Sequence, residues 1–466
     1  MLKDCYKPKH LWDTLAALPT TLYDMYSRIL SNIRERVQED VIRVLQFLAY
    51  SERPLTIEEA RDAIAVELTP HPHLSMDSMM PNPHDIASIC SSLVSLSTTE
   101  AGLEGATVLR LSHLSVKEYL MSGQVIKPFQ ESLTEINARG TVTRVCLAYL
   151  SHLDVKSSVA KIRNNFPLAR YSAQYWMQHA RHTEIEKDVQ KSILNFFLQQ
   201  EEAYTVWGNL FDPDHPRSTP DAFRDMATPL YYASAAGLRH TVRLLIENHA
   251  KVNAQGGLYG SALQAASFKG HKEIIQLLLE NGANVNAQSG HYGSALQTAS
   301  LRGHKEIIQL LLDTGANVNA QSGHYGSALQ AASLRGCKEI IQLLLENGAD
   351  ANMQGALQIV CMRGYKKIVK LLLDNRTDAN VQGALQAACM RGHKEIVQLL
   401  LDHGANANTQ DRYHGSALQA ASFNGHKEIV QLLLDNGAEP CNTPQKCLPS
   451  EFTIIPPVTK SFLPLM

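Results

Sequence analysis

Within SALQAASFKGHKEIIQLLLENGANVNAQ, residues 261 to 288, apolar and polar positions fall into two short helical patterns with a glycine between them. In the first, Ala262, Leu263, Ala265 and Ala266 keep the helix small-sided, which lets a neighbour approach closely, and Gly270 ends it as a C-cap. In the second, Ile274, Ile275, Leu277, Leu278 and Leu279 make a broad apolar face, with Lys272, Glu273, Gln276 and Glu280 on the polar side. The predicted plan is helix, tight turn, helix, loop.

That plan recurs seven times, anchored by Leu230, Leu263, Leu296, Leu329, Leu357, Leu385 and Leu418 at spacings of 33, 33, 33, 28, 28 and 33 residues. A unit of this size cannot bury its apolar face alone, so stacking must build one continuous core, and about three or more units are needed for stability. The two short units contract NAQSGHYGSALQ (319 to 330) to NMQGALQ (352 to 358) and NVQGALQ (380 to 386). This predicts loss of a finger hairpin with both helices kept, leaving a gap among the fingers.

The units resemble ankyrin repeats. Thr228, Pro229 and Leu230 match the family's TPL, and Gly270-His271, Gly303-His304, Gly392-His393 and Gly425-His426 match its inter-helix GH. Gln264, Gln297, Gln330, Gln358, Gln386 and Gln419 stand where the family carries histidine, and an amide can still cross-link adjacent turns. The resemblance implies protein binding through the first-helix side and the finger tips. On the first helices, Phe268-Lys269, Leu301-Arg302, Leu334-Arg335, Met362-Arg363 and Met390-Arg391 each set an apolar residue beside a cation, and Phe423 precedes Asn424. The fingers add Tyr259, His291, Tyr292, His324, Tyr325, Tyr413 and His414, amphipathic rings of the kind enriched in binding surfaces. The expected partner is an acidic-apolar protein segment whose carboxylates pair with Arg302, Arg335, Arg363 and Arg391. The alternative is that near-identical units reflect recent duplication and the cation ladder was merely copied.

Ahead of the repeats, LPTTLYDMYSRIL (18 to 30) has helical apolar spacing, and three blocks follow: 40 to 66, 83 to 96 and 107 to 122. They predict helix, Pro-Leu-Thr turn, helix, helix, short strand pair, helix, which is winged-helix order. The Leu-Pro opening, RPLTIEE and HLSVKEYL resemble the winged-helix segment that follows the nucleotide-binding domain in fungal NACHT-type STAND proteins. With the repeats, the order is similar to fungal NACHT-ankyrin proteins. The G-x-x-x-x-G-K-[ST] phosphate loop is absent from these residues, so either a natural remnant or a truncated gene model is expected. In NOD-like relatives a histidine opening a comparable H-x-S-x-x-E-Y pattern touches nucleotide phosphate. His113, with Ser115, Glu118 and Tyr119, would carry that contact only beside a nucleotide-binding domain, and the residues themselves favour a structural histidine with no cofactor.

The expected fold class is mostly α: a winged-helix-like domain over 1–125, a helical bridge and linker over 126–225, an ankyrin-repeat solenoid over 226–440, and a poorly ordered tail over 441–466. Tyr171, Tyr175, Trp176 and His179 fall at helical core spacing in the bridge, which favours packing over a ligand site.

A formal charge of −2 across 466 residues supplies no global drive toward nucleic acid or acidic membranes. The candidate recognition helix, 84 to 96, has Ser88, Ser91, Ser92 and Ser95 but no Lys or Arg, which disfavours DNA reading. Eight cysteines without a C-x-x-C pair, no apolar leader and no apolar run near 18 residues predict a reduced cytoplasmic or nuclear protein that does not span membranes. His271, His304, His393 and His426 lie one repeat apart, beyond the ~2 Å reach of a shared zinc, and are expected to cap turns. With no nucleophile elbow and no H-E-x-x-H, the sequence points to a non-enzymatic sensor or adaptor. The alternatives are a regulatory fragment of a STAND NTPase switch and a winged-helix transcriptional regulator. The oligomeric state is left open.

Overall fold

The RPLTIEE segment forms a two-residue strand, Leu55–Thr56, that turns directly into helix Ile57–Ile64. Thr56 Oγ1 accepts the Glu59 N–H at 3.2 Å and the Glu59 carboxylate accepts the Thr56 N–H at 2.9 Å, a reciprocal cap that satisfies two helix-end donors. Arg53 holds the same carboxylate at 2.7 Å, so the buried acid is paired. The computed structural model describes residues 21–69, 71–98, 105–216, 226–352, 355–381, 383–411 and 415–439. These divide into two compact units, Met1–Gly257 and Leu258–Met466.

In the first unit, strand Thr107–Leu111 lies between Leu55–Thr56 and Val94–Thr98, antiparallel to both. Leu30, Val41, Leu45, Ile57, Leu109 and Tyr119 form the core over this small sheet. The stretch 84 to 96, expected as one helix, breaks into helix Asp85–Ile89, a single 3₁₀ turn Ser91–Leu93, and the start of strand Val94–Thr98. The helical spacing of Ile86, Ile89 and Leu93 ends where Val94 pairs with Leu111 and Leu96 with Leu109. The ladder wins because a non-local partner satisfies the backbone there.

The bridge packs helices Glu135–Ser151, Ala169–Ala180, Lys187–Gln199 and Glu201–Leu210 around Trp176, Trp207, Phe196 and Phe197. The Trp207 indole N–H donates to the Ala173 carbonyl at 2.9 Å, which pays no penalty for burying a polar group. Tyr171, Trp176 and His179 are fully buried and Tyr175 is half-buried, so this cluster is core. His179 Nδ1 accepts from Arg139 at 3.3 Å, leaving Nε2–H to donate to the Tyr171 hydroxyl at 2.9 Å. Burial, with Arg139 and His182 adding repulsion, pushes the imidazole down to about 3. The first repeat, helices Pro229–Ala236 and Arg239–Glu247, belongs to this unit. Buried Glu184 caps its second helix, accepting from the N–H of His240 at 3.0 Å and from Thr241 N–H and Oγ1–H at 2.9 Å each.

The second unit stacks the remaining repeats. First helices Ala262–Lys269, Ala295–Arg302, Ala328–Arg335, Ala356–Arg363, Ala384–Arg391 and Ala417–Phe423 pack side by side, each backed by a second helix such as Lys272–Glu280. Alanines at the contacts are fully buried, which is the close approach the small-sided pattern predicts. Gly270 takes φ +88°, the left-handed conformation that ends a helix cheaply only at glycine.

Between second helices and fingers, an asparagine of each repeat reaches the next. Asn286 Nδ2 donates to Gly315 O at 3.0 Å while its Oδ1 accepts from Asn317 N–H at 2.7 Å, and Asn319 bonds Gly348 O and Asp350 N–H at 3.0 and 2.8 Å. Asn352, Asn380 and Asn408 continue the acceptor side of the ladder, their Oδ1 atoms taking the N–H of Asp378, Asn406 and Glu439, so a bond of this kind crosses each short repeat. No helix among the described residues is long and apolar enough to cross a membrane. The linker 217–225 and the segment 440–466 lie outside the described residues.

Replacing Glu184 with Ala removes three hydrogen bonds to a buried carboxylate and should cost about 2–4 kcal/mol of the first unit's stability, read by urea denaturation with a repeat-specific probe. His179 binds a proton in the unfolded chain below its ordinary value of 6.5 but not in the native state until about 3. Its contribution is therefore complete above pH 6.5 and is lost as pH falls toward 3. Urea midpoints measured from pH 7 down to 5 should drop less steeply for His179→Gln than for the wild type.

Candidate functional site: the first-helix face and fingers

Each first helix ends in the same two positions, so stacking places them in a row. Leu301, Leu334, Met362 and Met390 are half-buried in that row, and Phe423 is 76% exposed. Lys269, Arg335, Arg363 and Arg391 are exposed and Arg302 is half-buried. Phe268 and Tyr259 depart from the expected accessible stripe, at 3% and 4% exposure. The Phe268 ring is covered by finger residues Tyr259 and Tyr292, with centroids at 4.5 and 5.0 Å, and the Arg302 guanidinium stands 4.9 Å from it. Both rings therefore support the surface rather than form it. Tyr413 and His414 lie outside the described residues.

The fingers of repeats 2 to 4 form a column. Tyr259 and Tyr292 are 5.4 Å apart, and Tyr292 and Tyr325 stack at 5.6 Å with a 19° interplanar angle. His291 and His324 stack alongside at 5.1 Å. Main-chain bonds run the same way: His291 N–H donates to Leu258 O at 3.0 Å and His324 N–H to His291 O at 2.9 Å. Partial burial and the neighbouring His324 lower the His291 imidazole's proton affinity.

Glutamines at the family's histidine position hold these fingers in place. Gln297 accepts the Ser294 N–H within its own helix cap, and its amide donates to the carbonyls of Ala320 at 3.3 Å, Ser322 at 3.1 Å and Gly326. Gln264 does the same one repeat earlier, toward Ser289 and Gly293. The turn histidines also bridge repeats, for His304 Nε2–H donates to Phe268 O at 3.2 Å and His426 Nε2–H to Met390 O at 3.3 Å.

Charge is segregated between the two helix rows. The first helices contain no Asp or Glu. On the second helices, Lys272 pairs with Glu306 at 2.9 Å and Lys394 with Glu428 at 2.8 Å, each across one repeat. Arg335, Arg363 and Arg391 have no carboxylate partner among the described residues. An exposed row of cations beside half-buried apolar side chains suits a ligand that brings both carboxylates and hydrophobic groups.

In the winged-helix region, His113 is exposed and caps helix Leu114–Met121. Its Nδ1 accepts the Ser115 N–H at 3.1 Å and lies 2.7 Å from Ser115 Oγ, which in turn meets the Tyr26 hydroxyl at 2.7 Å. Nδ1 as acceptor leaves Nε2 to carry the proton of the neutral ring. Tyr119 is buried with its hydroxyl on Ser27 at 2.8 Å, while Glu118 is exposed. Burial pushes the Cys90, Cys146 and Cys389 thiols up to about 12, so none of the three is a thiolate near neutral pH.

The cation row and the ring-bearing fingers were visible in the sequence as residues recurring one repeat apart. The roofing of Phe268 by Tyr259 and Arg302 was not, because that contact joins positions 268 and 302, which no local pattern links.

A family model described as ankyrin repeats matches three stretches, 192–289, 263–355 and 357–443, together more than half of the chain. A second, described as the winged helix domain of GPI inositol-deacylase, matches 27–130. A protein of Monascus ruber named azaphilone pigments biosynthesis cluster protein L is 39% identical over 272 residues, 54% of this chain and 57% of its own length. The chain thus spans little more than half of that curated relative. The crystal structure of the human ASB11 ankyrin repeat domain is 28% identical with a TM-score of 0.40, covering 46% of this chain and 100% of that one.

Gln297→Leu keeps the side chain's bulk but strands the Ser294 N–H and the finger carbonyls. A loss of about 1–3 kcal/mol is expected, together with faster amide hydrogen exchange at His324 than at the helix amides of the same repeat.

Proposed function

The chain belongs to the ankyrin-repeat proteins, and on that premise we propose that it is a non-enzymatic protein-binding module, a sensor or adaptor related to fungal NACHT-ankyrin signalling proteins. The first-helix face receives an acidic-apolar segment of a partner protein. Leu301, Leu334, Met362, Met390 and Phe423 supply apolar contact, and Lys269, Arg302, Arg335, Arg363 and Arg391 meet its carboxylates. His291, Tyr292, His324 and Tyr325 flank it. One observation carries this reading: the first helices contain no Asp or Glu, and their Arg335, Arg363 and Arg391 have no carboxylate partner among the described residues, whereas Lys272 and Lys394 of the second helices are paired with Glu306 and Glu428. Unpaired guanidinium groups in a fixed row retain their charge and forked donors for an incoming anion. The working compartment is the cytoplasm or nucleus.

A second reading is favoured by His113. Its Nδ1 is held by Ser115, so an exposed ring whose Nε2–H is a donor suits a phosphate oxygen. In that reading the winged helix is the regulatory part of a STAND NTPase switch whose nucleotide-binding domain comes from further sequence or another chain.

Affinity capture from native lysate with the full chain should retain partner proteins that the Arg335→Glu, Arg363→Glu double variant loses by tenfold or more, about 1.4 kcal/mol. Quantitative mass spectrometry of the bound fractions reads the difference. Equal retention by a double variant with unchanged circular dichroism and melting would refute the first-helix face as the binding surface.

A further inference from the structure

We propose that the two short repeats create a notch in the finger row, and that this notch binds an extended acidic segment of a partner protein whose aromatic side chain continues the tyrosine column. The inference rests on the protein-binding reading above and says where on the first-helix face the ligand sits.

The column of fingers stops at repeat 4 with its bonding incomplete. Tyr325 stacks on Tyr292 at 5.6 Å, and among the described residues no ring from repeat 5 covers its other side. The main-chain ladder that joins Leu258, His291 and His324 also ends there, since the His324 carbonyl has no donor among the described residues. In the longer repeats those two interactions are supplied by the next finger.

The chain of repeats 5 and 6 shows why nothing replaces them. Helix Ala356–Arg363 starts at Gly355 with φ +98°, and helix Ala384–Arg391 at Gly383 with φ +82°. A Cβ at Gly355 would sit 2.5 Å from Gln330 Nε2, and one at Gly383 2.6 Å from Gln358 Nε2. The backbone therefore passes directly over the preceding glutamine, where a longer repeat places its hairpin. The left-handed turn at both positions favours glycine, and a Cβ there would also push the glutamine amide aside.

The floor of the notch has the composition of a recognition surface. Leu334, Met362 and Met390 are half-buried, and Arg335, Arg363 and Arg391 are exposed without carboxylate partners among the described residues. Methionine and leucine adapt to a buried side chain, and the arginines take carboxylates by forked hydrogen bonds. Packed helices stand about 8–10 Å apart, so the three spacings between the fingers of repeats 4 and 7 correspond to about eight residues of extended chain at about 3.3 Å each. The protein's own segment 440–466 has one acid, Glu451, against Lys446 and Lys460, and does not have this chemistry.

Random dodecapeptides displayed on phage and selected against the full chain test the proposal. Enriched peptides are then measured by fluorescence anisotropy against three variants: a chain with the repeat-4 finger inserted into both short repeats, Tyr325→Ala, and Arg335→Glu with Arg363→Glu. Selected sequences should combine Asp or Glu with Tyr, Phe or Trp. Their Kd should weaken tenfold or more on finger insertion and on charge reversal, and severalfold in Tyr325→Ala, with each variant's melting curve showing an intact solenoid. If charge reversal weakens binding while finger insertion and Tyr325→Ala leave it unchanged, the notch is wrong and the broader first-helix reading stands. Enrichment of basic peptides, or tighter binding of a single-stranded oligonucleotide than of any selected peptide, overturns both.

Discussion

A repeat of 28 to 33 residues has two short helices and no interior of its own, so beyond the packing of its own helix pair its stability comes from the neighbour it stacks on. Small residues on the first helices bring backbones together, and polar side chains then use that proximity. Asparagines bond the loop of the next repeat, glutamines bond the carbonyls of its finger, and turn histidines reach back to the repeat before. These groups would be costly if buried alone, and paired across the interface they make register unambiguous. The asparagine Oδ1 bonds continue across both short repeats, so the finger can be lost without breaking the stack.

The first repeat meets a different neighbour. Its second helix begins on Glu184 of the bridge, and Tyr232 packs against Trp207 at 5.1 Å. A solenoid end normally needs a polar cap, and here the aromatic bridge covers it within the same compact unit. The winged-helix region, the bridge and the first repeat belong to one compact unit, joined by buried side chains such as Glu184 and Trp207.

Charge is arranged to the same end. On the second helices Lys272 and Lys394 pair with glutamates one repeat on, exposed pairs that add little stability, and acids are interspersed with the cations there. The first-helix row carries cations with no acids at all, and its apolar neighbours are only half covered. A surface with one sign of charge and unfinished ring stacking is complementary to something that the chain does not itself contain.

The repeat period, the helix pair, the glycine caps, the missing fingers and the winged-helix order were all legible in the sequence, because each rests on local propensity or on spacing along one element. The strand at Val94–Thr98 was not, since its helical-looking spacing is overruled by pairing with Thr107–Leu111. Nor was the burial of Tyr259 and Phe268, which depends on Tyr292 and Arg302 arriving from the next repeat. The composition of each repeat therefore determined which residues recur along the solenoid. Tertiary packing alone decided which of them face solvent, because burial depends on what the neighbouring repeat places over a side chain.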